Sequence, residues 1–470
     1  MRTLLTRPAL TALLAAAGTG LLAQSATDII ADQSRTAFTI QGAGARAVGT
    51  GGAFIAVADD ATAVSYNPAG LAQLLRPEIS LTGAYHSRNM TMTGFSNKNP
   101  DTPDTWDNSG SKDQGTKPNF LSVAIPWKRD GLNTTLQFSY QRLLDFDLAD
   151  NRGFNATPNG GGASQAISQN IEQEGGIDLY SVALGAELSQ RILVGASINV
   201  WRGSWDFSST SSTSANGTQQ FDSIMAQGNQ FRGLNANLGL IWRSDLVNVG
   251  VVYRTPFTAT YTFDNSRVTL DASTGLPVGS TGARQPYDVK WPETLGWGLG
   301  IHPVSRLLLT ADWSRTPWSN TVFKPSGTAY DNMNFFDMAV KSKTRNCTDF
   351  HTGGEWVAFL GDSVVIPIRA GYFKEPQPMV DSNTGTQQIF YGWTAGFGIK
   401  FSSFTVDAAF KDSRSSRYIS QLNDSAPSGG VEAYAYGTQN ITEKQVFLSL
   451  IYQLETDVMH KALGWLLVGN

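Results

Sequence analysis

The sequence predicts an all-β protein: a transmembrane antiparallel β-barrel of about fourteen strands, with an N-terminal hatch containing short helices. Three observations predict it. Apolar residues alternate with small or polar ones at period two along many segments beyond residue 78. The connections between these segments alternate between short and long. The composition is charge-poor at 16%, with 47 glycines and 11% aromatics, which suits a membrane barrel.

Residues 1–25 read as a signal peptide. Arg2 and Arg7 supply the positive start, Ala9 to Ala23 a short apolar stretch, and Ala23-Gln24-Ser25 a small-residue cleavage site. The mature chain then begins near Ala26. The apolar stretch is too short to span a bilayer comfortably as a helix, and no other stretch approaches that length. Without Arg2 and Arg7, 33 basic residues face 39 acidic ones, a formal charge of −6. That balance argues against nucleic acid as a partner. Cys347 is the only cysteine, so no intrachain disulfide forms.

Residues 26–77 read as the hatch. Gly42, Gly44, Gly49, Gly51 and Gly52 permit close packing or positive φ. Asp59-Asp60 suits an Asx-type turn or helix cap. Asn67-Pro68-Ala69-Gly70 opens a helix, because Asn is a favoured N-cap and Pro at the first helical position loses no needed hydrogen bond. That helix is expected to run through Leu71, Leu74 and Leu75 until Pro77 stops it. A flexible linker would not be expected to carry Phe38, Ile40, Phe54 and Ile55.

Residues 78–455 read as the barrel. Leu234, Ala236, Leu238, Leu240 and Trp242 share one face, with Gly233, Asn235, Asn237 and Gly239 on the other. Leu295, Trp297, Leu299 and Ile301 likewise oppose Thr294, Gly296, Gly298 and Gly300. The apolar face turns to lipid; the small and polar face turns to a lumen, leaving room for a substrate or for the hatch. Strands are expected to begin near residues 78, 118, 132, 176, 190, 230, 245, 286, 305, 346, 363, 388, 403 and 441. Short turns fall at Lys128 to Gly131, Ser189-Gln190, Ser244-Asp245, His302 to Val304, Leu360 to Ser363 and Ser402-Ser403. Long loops fall at about 89–117, 149–175, 207–229, 266–285, 319–345, 375–387 and 416–440. Short periplasmic turns and long outer loops are the signature of such barrels. The tail, 456–470, follows the last strand and suits a short amphipathic helix.

Catalytic and metal-binding patterns are not evident. The four histidines, His86, His302, His351 and His460, lack zinc spacing, although a barrel could bring His86 near His351. No nucleotide fingerprint stands out. Asp101, Asp104, Asp107 and Asp113 fall in the first long loop without calcium-loop spacing. The reading is a non-enzyme with no cofactor and no metal. Glu187, Arg191, Arg243, Arg254, Asp312, Lys400, Asp407 and Lys411 are candidate lumen charges, where ionisable groups at membrane depth pair with one another or meet a substrate carboxylate.

The stretch Gly42 to Leu75, with its glycine-rich segment, A-D-D-A turn and N-P-A-G motif in that order, resembles the N-terminal hatch of the FadL/TodX family of outer-membrane transporters for hydrophobic compounds. The resemblance implies a fourteen-stranded barrel in the bacterial outer membrane. It implies a monomer among lipid and lipopolysaccharide that takes up hydrophobic compounds passively, such as long-chain fatty acids or hydrocarbons. Asn67, Pro68, Ala69, Gly70, Asp59 and Asp60 become hatch and gating candidates. Phe38, Phe54, Ile55, Arg243, Arg254 and Lys400 become substrate-contact candidates. A shuttle or anchor for secreted proteins is the other role that the wider family suggests. The family's lateral opening comes from a kinked third strand, but Leu132 to Leu148 has no internal Gly or Pro to mark a kink.

Overall fold

A closed wall of fourteen antiparallel strands, written by the chain in eighteen segments, surrounds the N-terminal residues. The computed structural model describes residues 42–97, 111–129, 131–156, 165–215, 218–271, 273–326, 345–380, 385–422 and 434–455. The signal-peptide reading, Phe38, Ile40, parts of the long loops and the tail lie outside these residues.

The segments are β1 (Glu78–Asn97), β2 (Ser111–Arg129), β3 (Leu132–Asp145), β4 (Leu148–Ala156), β5 (Gln165–Ser189) and β6 (Ile192–Ala215). Next come β7 (Thr218–Arg243), β8 (Val247–Arg254), β9 (Phe257–Asp271), β10 (Pro277–Trp291), β11 (Thr294–Val304) and β12 (Leu307–Thr316). The last are β13 (Val322–Pro325), β14 (Cys347–Leu360), β15 (Val365–Val380), β16 (Gln387–Lys400), β17 (Phe404–Leu422) and β18 (Tyr434–Gln453). Four strands are interrupted: β3/β4, β8/β9, β10/β11 and β12/β13. β1 pairs with both β2 and β18, which closes the wall. Closure satisfies the backbone without an edge, as a hydrocarbon environment requires.

The predicted faces appear in the burial pattern. Leu234, Leu238, Leu240 and Trp242 are exposed on the outer wall, as are Leu295, Trp297, Trp393, Phe397, Leu448 and Leu450. Asn235 and Asn237 are buried inside. Several strands run further than expected. Residues 111–117, 165–175, 218–229 and 277–285 are paired strand rather than loop. Their Ser, Thr, Asn and Gln carry no lipid-facing alternation, yet a ladder standing above the bilayer needs none. Asp113 accordingly belongs to β2, not to a loop.

Inside the barrel lie a helix at Ala45–Gly49, a second at Ala63–Tyr66 and a 3-10 turn at Pro68–Gln73. Asn67 caps this turn, its Oδ1 accepting from Ala69 N at 3.1 Å. The helix expected through Leu75 ends earlier: Leu74 is already extended and Leu75 is 73% exposed. Ala43, Ala45, Ala47, Ala53, Ala58, Ala61, Ala63 and Ala69 are fully buried. Small side chains let a folded segment fit within a barrel of this size.

Candidate functional site

The hatch rests on glycines of the wall. Gly185, Gly195 and Gly239 stand in register on β5, β6 and β7. A Cβ on any of them would strike Pro68, Ala69, Leu71 or Asn67. Gly250 and Gly298 pair across β8 and β11 beneath Ile55 and Ala56. Gly353 and Gly371 pair across β14 and β15 beneath Thr50 and Gly51. The inward glycines thus receive hatch backbone.

Polar groups of the wall then fasten that backbone. Asp312 Oδ2 accepts from Phe54 N at 2.6 Å and from Ile55 N at 2.8 Å. Thr394 Oγ1 accepts from Gly51 N and donates to Gly49 O, both at 3.0 Å. Ser449 Oγ accepts from Ala45 N at 2.8 Å. Asn133 Nδ2 donates to Ala72 O and Leu74 O, and Gln137 Nε2 donates to Ala61 O. Asn67 Nδ2 donates to Ile55 O at 2.9 Å and reaches the wall carbonyls of Leu240 and Val251 at 3.2 and 3.4 Å.

An ion-pair chain ties the first hatch helix to the wall. Arg46 meets Asp59, Asp60 and, at 3.1 Å, Glu355. Glu355 also accepts from Arg369 Nε, and Arg369 Nη1 reaches Asp407, both at 2.6 Å. Burial opposes the Arg46 charge, but Asp59, Glu355 and Asp60 together hold its guanidinium above the usual range. Burial raises the Asp60 carboxyl above its ordinary range against the opposing pull of Arg46 and Thr62. Asp60 forms the Asx turn, accepting from Thr62 N at 2.8 Å.

Above the hatch lies an aromatic cluster. The Trp201 ring sits 4.9 Å from Phe257 and 5.3 Å from Trp291, which lies 4.9 Å from Trp318. Interruptions at Pro256, Pro292 and Pro317 separate the wall segments beside Phe257, Trp291 and Trp318, since Pro cannot donate to a ladder. A cavity of about 90 Å³ separates Trp291 and Trp318 from the hatch. Arg254, Asp312, Asp349, His351, Glu375 and Lys411 are among its lining residues, with Ile55 from the hatch.

The wall is also broken between its second and third strands. β2 pairs with β3 from Phe120 to Arg129, whereas β4 pairs with β5 alone among the described residues. The kink sits at Phe146-Asp147, with Phe146 turned inward against Trp205 at 4.8 Å. Phe146 N donates to Gly175 O at 2.9 Å. The missing Gly or Pro lies on the neighbouring strand. Gly175 has φ +125°, and a Cβ on Gly176 would strike Leu144 O. Here the backbone can double against its neighbour as in a bulge.

Of the residues singled out from sequence, Asn67, Pro68, Ala69 and Gly70 lie against β5 to β8, while Asp59 and Asp60 lie beside Arg46. Phe54 is buried within the hatch, edge-on to Tyr66 at 5.3 Å, and does not line the cavity. Ile55 and Arg254 do line it, and Arg254 Nη2 donates to Ser65 O at 3.3 Å. Arg243 stands apart near the short turns, paired with Glu187 at 2.8 Å and reaching Gln73. Lys400 is exposed at the end of β16. His86 pairs with Asp113 at 3.0 Å, whereas His351 Nδ1 meets Gly51 O at 2.7 Å, so the two histidines have separate surroundings. Asn133, Gln137, Asp349, Glu355, Arg369 and Glu375 were not singled out. Their inward register was the available signal.

A family model described as BamG matches residues 47–342, more than half of the chain. No curated protein matches. Among solved structures, a Pseudomonas aeruginosa FadL homologue has a TM-score of 0.60 at 16% identity, covering 89% of this chain and 100% of its own. The Ralstonia pickettii toluene transporter TbuX has a TM-score of 0.53 at 14% identity, with the same coverage. The Pseudomonas putida toluene transporter TodX has a TM-score of 0.53 at 13% identity, again with that coverage.

Proposed function

The chain belongs to the BamG family and has a FadL-like fold; on that footing we propose that it passes small hydrophobic compounds across a bacterial outer membrane under control of its hatch. The observation that carries this reading is the break between β2 and β4 beside an aromatic-lined lumen, above a hatch fastened to the wall. A compound entering from the long-loop end meets Trp291 and Trp318, which the buried rings of Trp201, Phe231 and Phe257 back. Apolar burial there supplies about 25 cal/mol per Å². The wall break offers a sideways exit into lipid, reached from the cavity when the hatch shifts from its docked position. No covalent step is involved.

The cavity volume favours compact substrates. At about 90 Å³ it is of the same order as the ~150 Å³ cavity that takes up benzene. It is far below the ~300 Å³ and more of drug-sized sites. Toluene, which TbuX and TodX are named for transporting, is a better match than a long-chain fatty acid.

The break is flanked by Lys117 on β2 and by Asp145 and Asp147 at the kink, which pair across it. Cysteines at 117 and 147, introduced with Cys347→Ser, can be stapled by a bifunctional thiol reagent. Stapling is expected to stop uptake of labelled toluene by cells with a lipopolysaccharide outer leaflet. Uptake at the unstapled rate would reject the sideways route.

A further inference from the structure

The cavity between hatch and aromatic cluster carries more acceptor capacity than its surroundings use. Asp312, Asp349 and Glu375 all line it and are 3%, 7% and 1% exposed. Each keeps one carboxylate oxygen without a hydrogen-bond partner: Asp312 Oδ1, Asp349 Oδ1 and Glu375 Oε2. Their other oxygens are engaged. Asp312 Oδ2 holds the Phe54 and Ile55 amides, Asp349 Oδ2 accepts from Ser314 at 3.2 Å, and Glu375 Oε1 lies 3.4 Å from Lys411 Nζ.

The arrangement of the acids adds a second argument. Phe350 pairs with Lys374 across β14 and β15, which sets Asp349 beside Glu375 on neighbouring strands. Two carboxyls placed side by side on a sheet repel each other when both are ionised. Buried polar groups without partners are destabilising. The nearby cations leave these three oxygens without a hydrogen bond. Lys411 is shared between Glu375 and the face of Phe373, 4.0 Å from the ring centroid. His351 meets the Gly51 carbonyl through Nδ1 and stands 3.8 Å from Glu375 Oε1 through Nε2, and Arg254 donates to Ser65 O. Trp291 and Trp318 supply the apolar side of the same cavity.

We propose that this cavity binds a compact amphipathic compound whose polar head donates hydrogen bonds to Asp349 and Glu375 while its apolar body lies against Trp291 and Trp318. The head is an amine or a hydroxyl; a carboxylate is disfavoured because it would face three acids. The inference rests on the proposed passage of small hydrophobic compounds and specifies their class.

The test is calorimetric titration of the full-length protein in detergent with benzylamine, phenol, toluene and benzoate. Benzylamine and phenol are expected to bind at least tenfold more tightly than toluene or benzoate. The nearly isosteric variants Asp349→Asn and Glu375→Gln are each expected to cut that preference at least tenfold, with the heat-dependent gel shift of the folded barrel retained. Equal binding of all four probes, tighter binding of benzoate, or no binding of any probe overturns the inference. A preference untouched by both variants overturns it as well. The stapling experiment reads the wall break and not this cavity, so the two readings fail separately.

Discussion

Replacing Asp312 by Ala should loosen the hatch without unmaking the barrel. One carboxylate oxygen, in a residue 3% exposed, holds two consecutive hatch amides at 2.6 and 2.8 Å. Hydrogen bonds to a charged group contribute about 1.5–3 kcal/mol each, and a buried amide left unpaired costs about 1–3 kcal/mol. Against this, removal of a buried carboxylate with an unpartnered Oδ1 relieves desolvation. The net loss of hatch docking is then about 2–4 kcal/mol. At 1.4 kcal/mol per factor of ten, opening becomes about 30- to 700-fold more frequent. Amide hydrogen exchange, read by mass spectrometry on a peptide spanning Ala53 to Val57, measures this directly. Asp312→Asn keeps an acceptor in place and should accelerate exchange much less. Exchange in Asp312→Ala within twofold of the native rate would refute the argument. So would faster exchange throughout the wall strands, which would mean that the barrel itself had been damaged.

Other substitutions probe the remaining fastenings. Asn67→Ala removes the cap on Ala69 N and the bridge to Ile55 O; it should weaken hatch docking by about 2–3 kcal/mol, more than the ~1 kcal/mol of a cap alone, read by the same exchange. Arg369→Met strands Asp407, which is 1% exposed, and should cost about 3–5 kcal/mol, seen as a lower temperature for the gel shift of the folded barrel. Gly195→Val drives side-chain atoms into Pro68 and Ala69; the barrel should still assemble, with ion conductance in planar bilayers raised above the native level.

The barrel was legible because lipid imposes a strict rule on every spanning strand. Leu234 to Trp242 shows it residue by residue, and the outer wall follows. Strand ends were less legible. Above the bilayer, residues such as Ser208 to Ala215 obey no lipid rule, so polar strand and polar loop look alike. The local part of the hatch was readable, since Asn67-Pro68 is a cap written in adjacent residues. Its docking was not, because Asp312, Asn133 and Thr394 approach the hatch from strands far away in sequence. The kink at Phe146 shows the same limit. Its enabling glycines, Gly175 and Gly176, stand on the partner strand and become relevant only once the register is known. Phe54 failed as a substrate contact for a related reason: an apolar residue in the hatch can pack inward on Tyr66 as readily as face the cavity.

The central claim, that the docked hatch controls passage, is tested most directly by locking it. Ala45 N lies 2.8 Å from Ser449 Oγ, so cysteines at 45 and 449, combined with Cys347→Ser, can join hatch to wall in the intact protein. Uptake of labelled toluene is then compared in cells with the pair reduced and oxidised. Oxidation is expected to stop uptake and reduction to restore it; equal uptake in the two states would show that the hatch does not control passage.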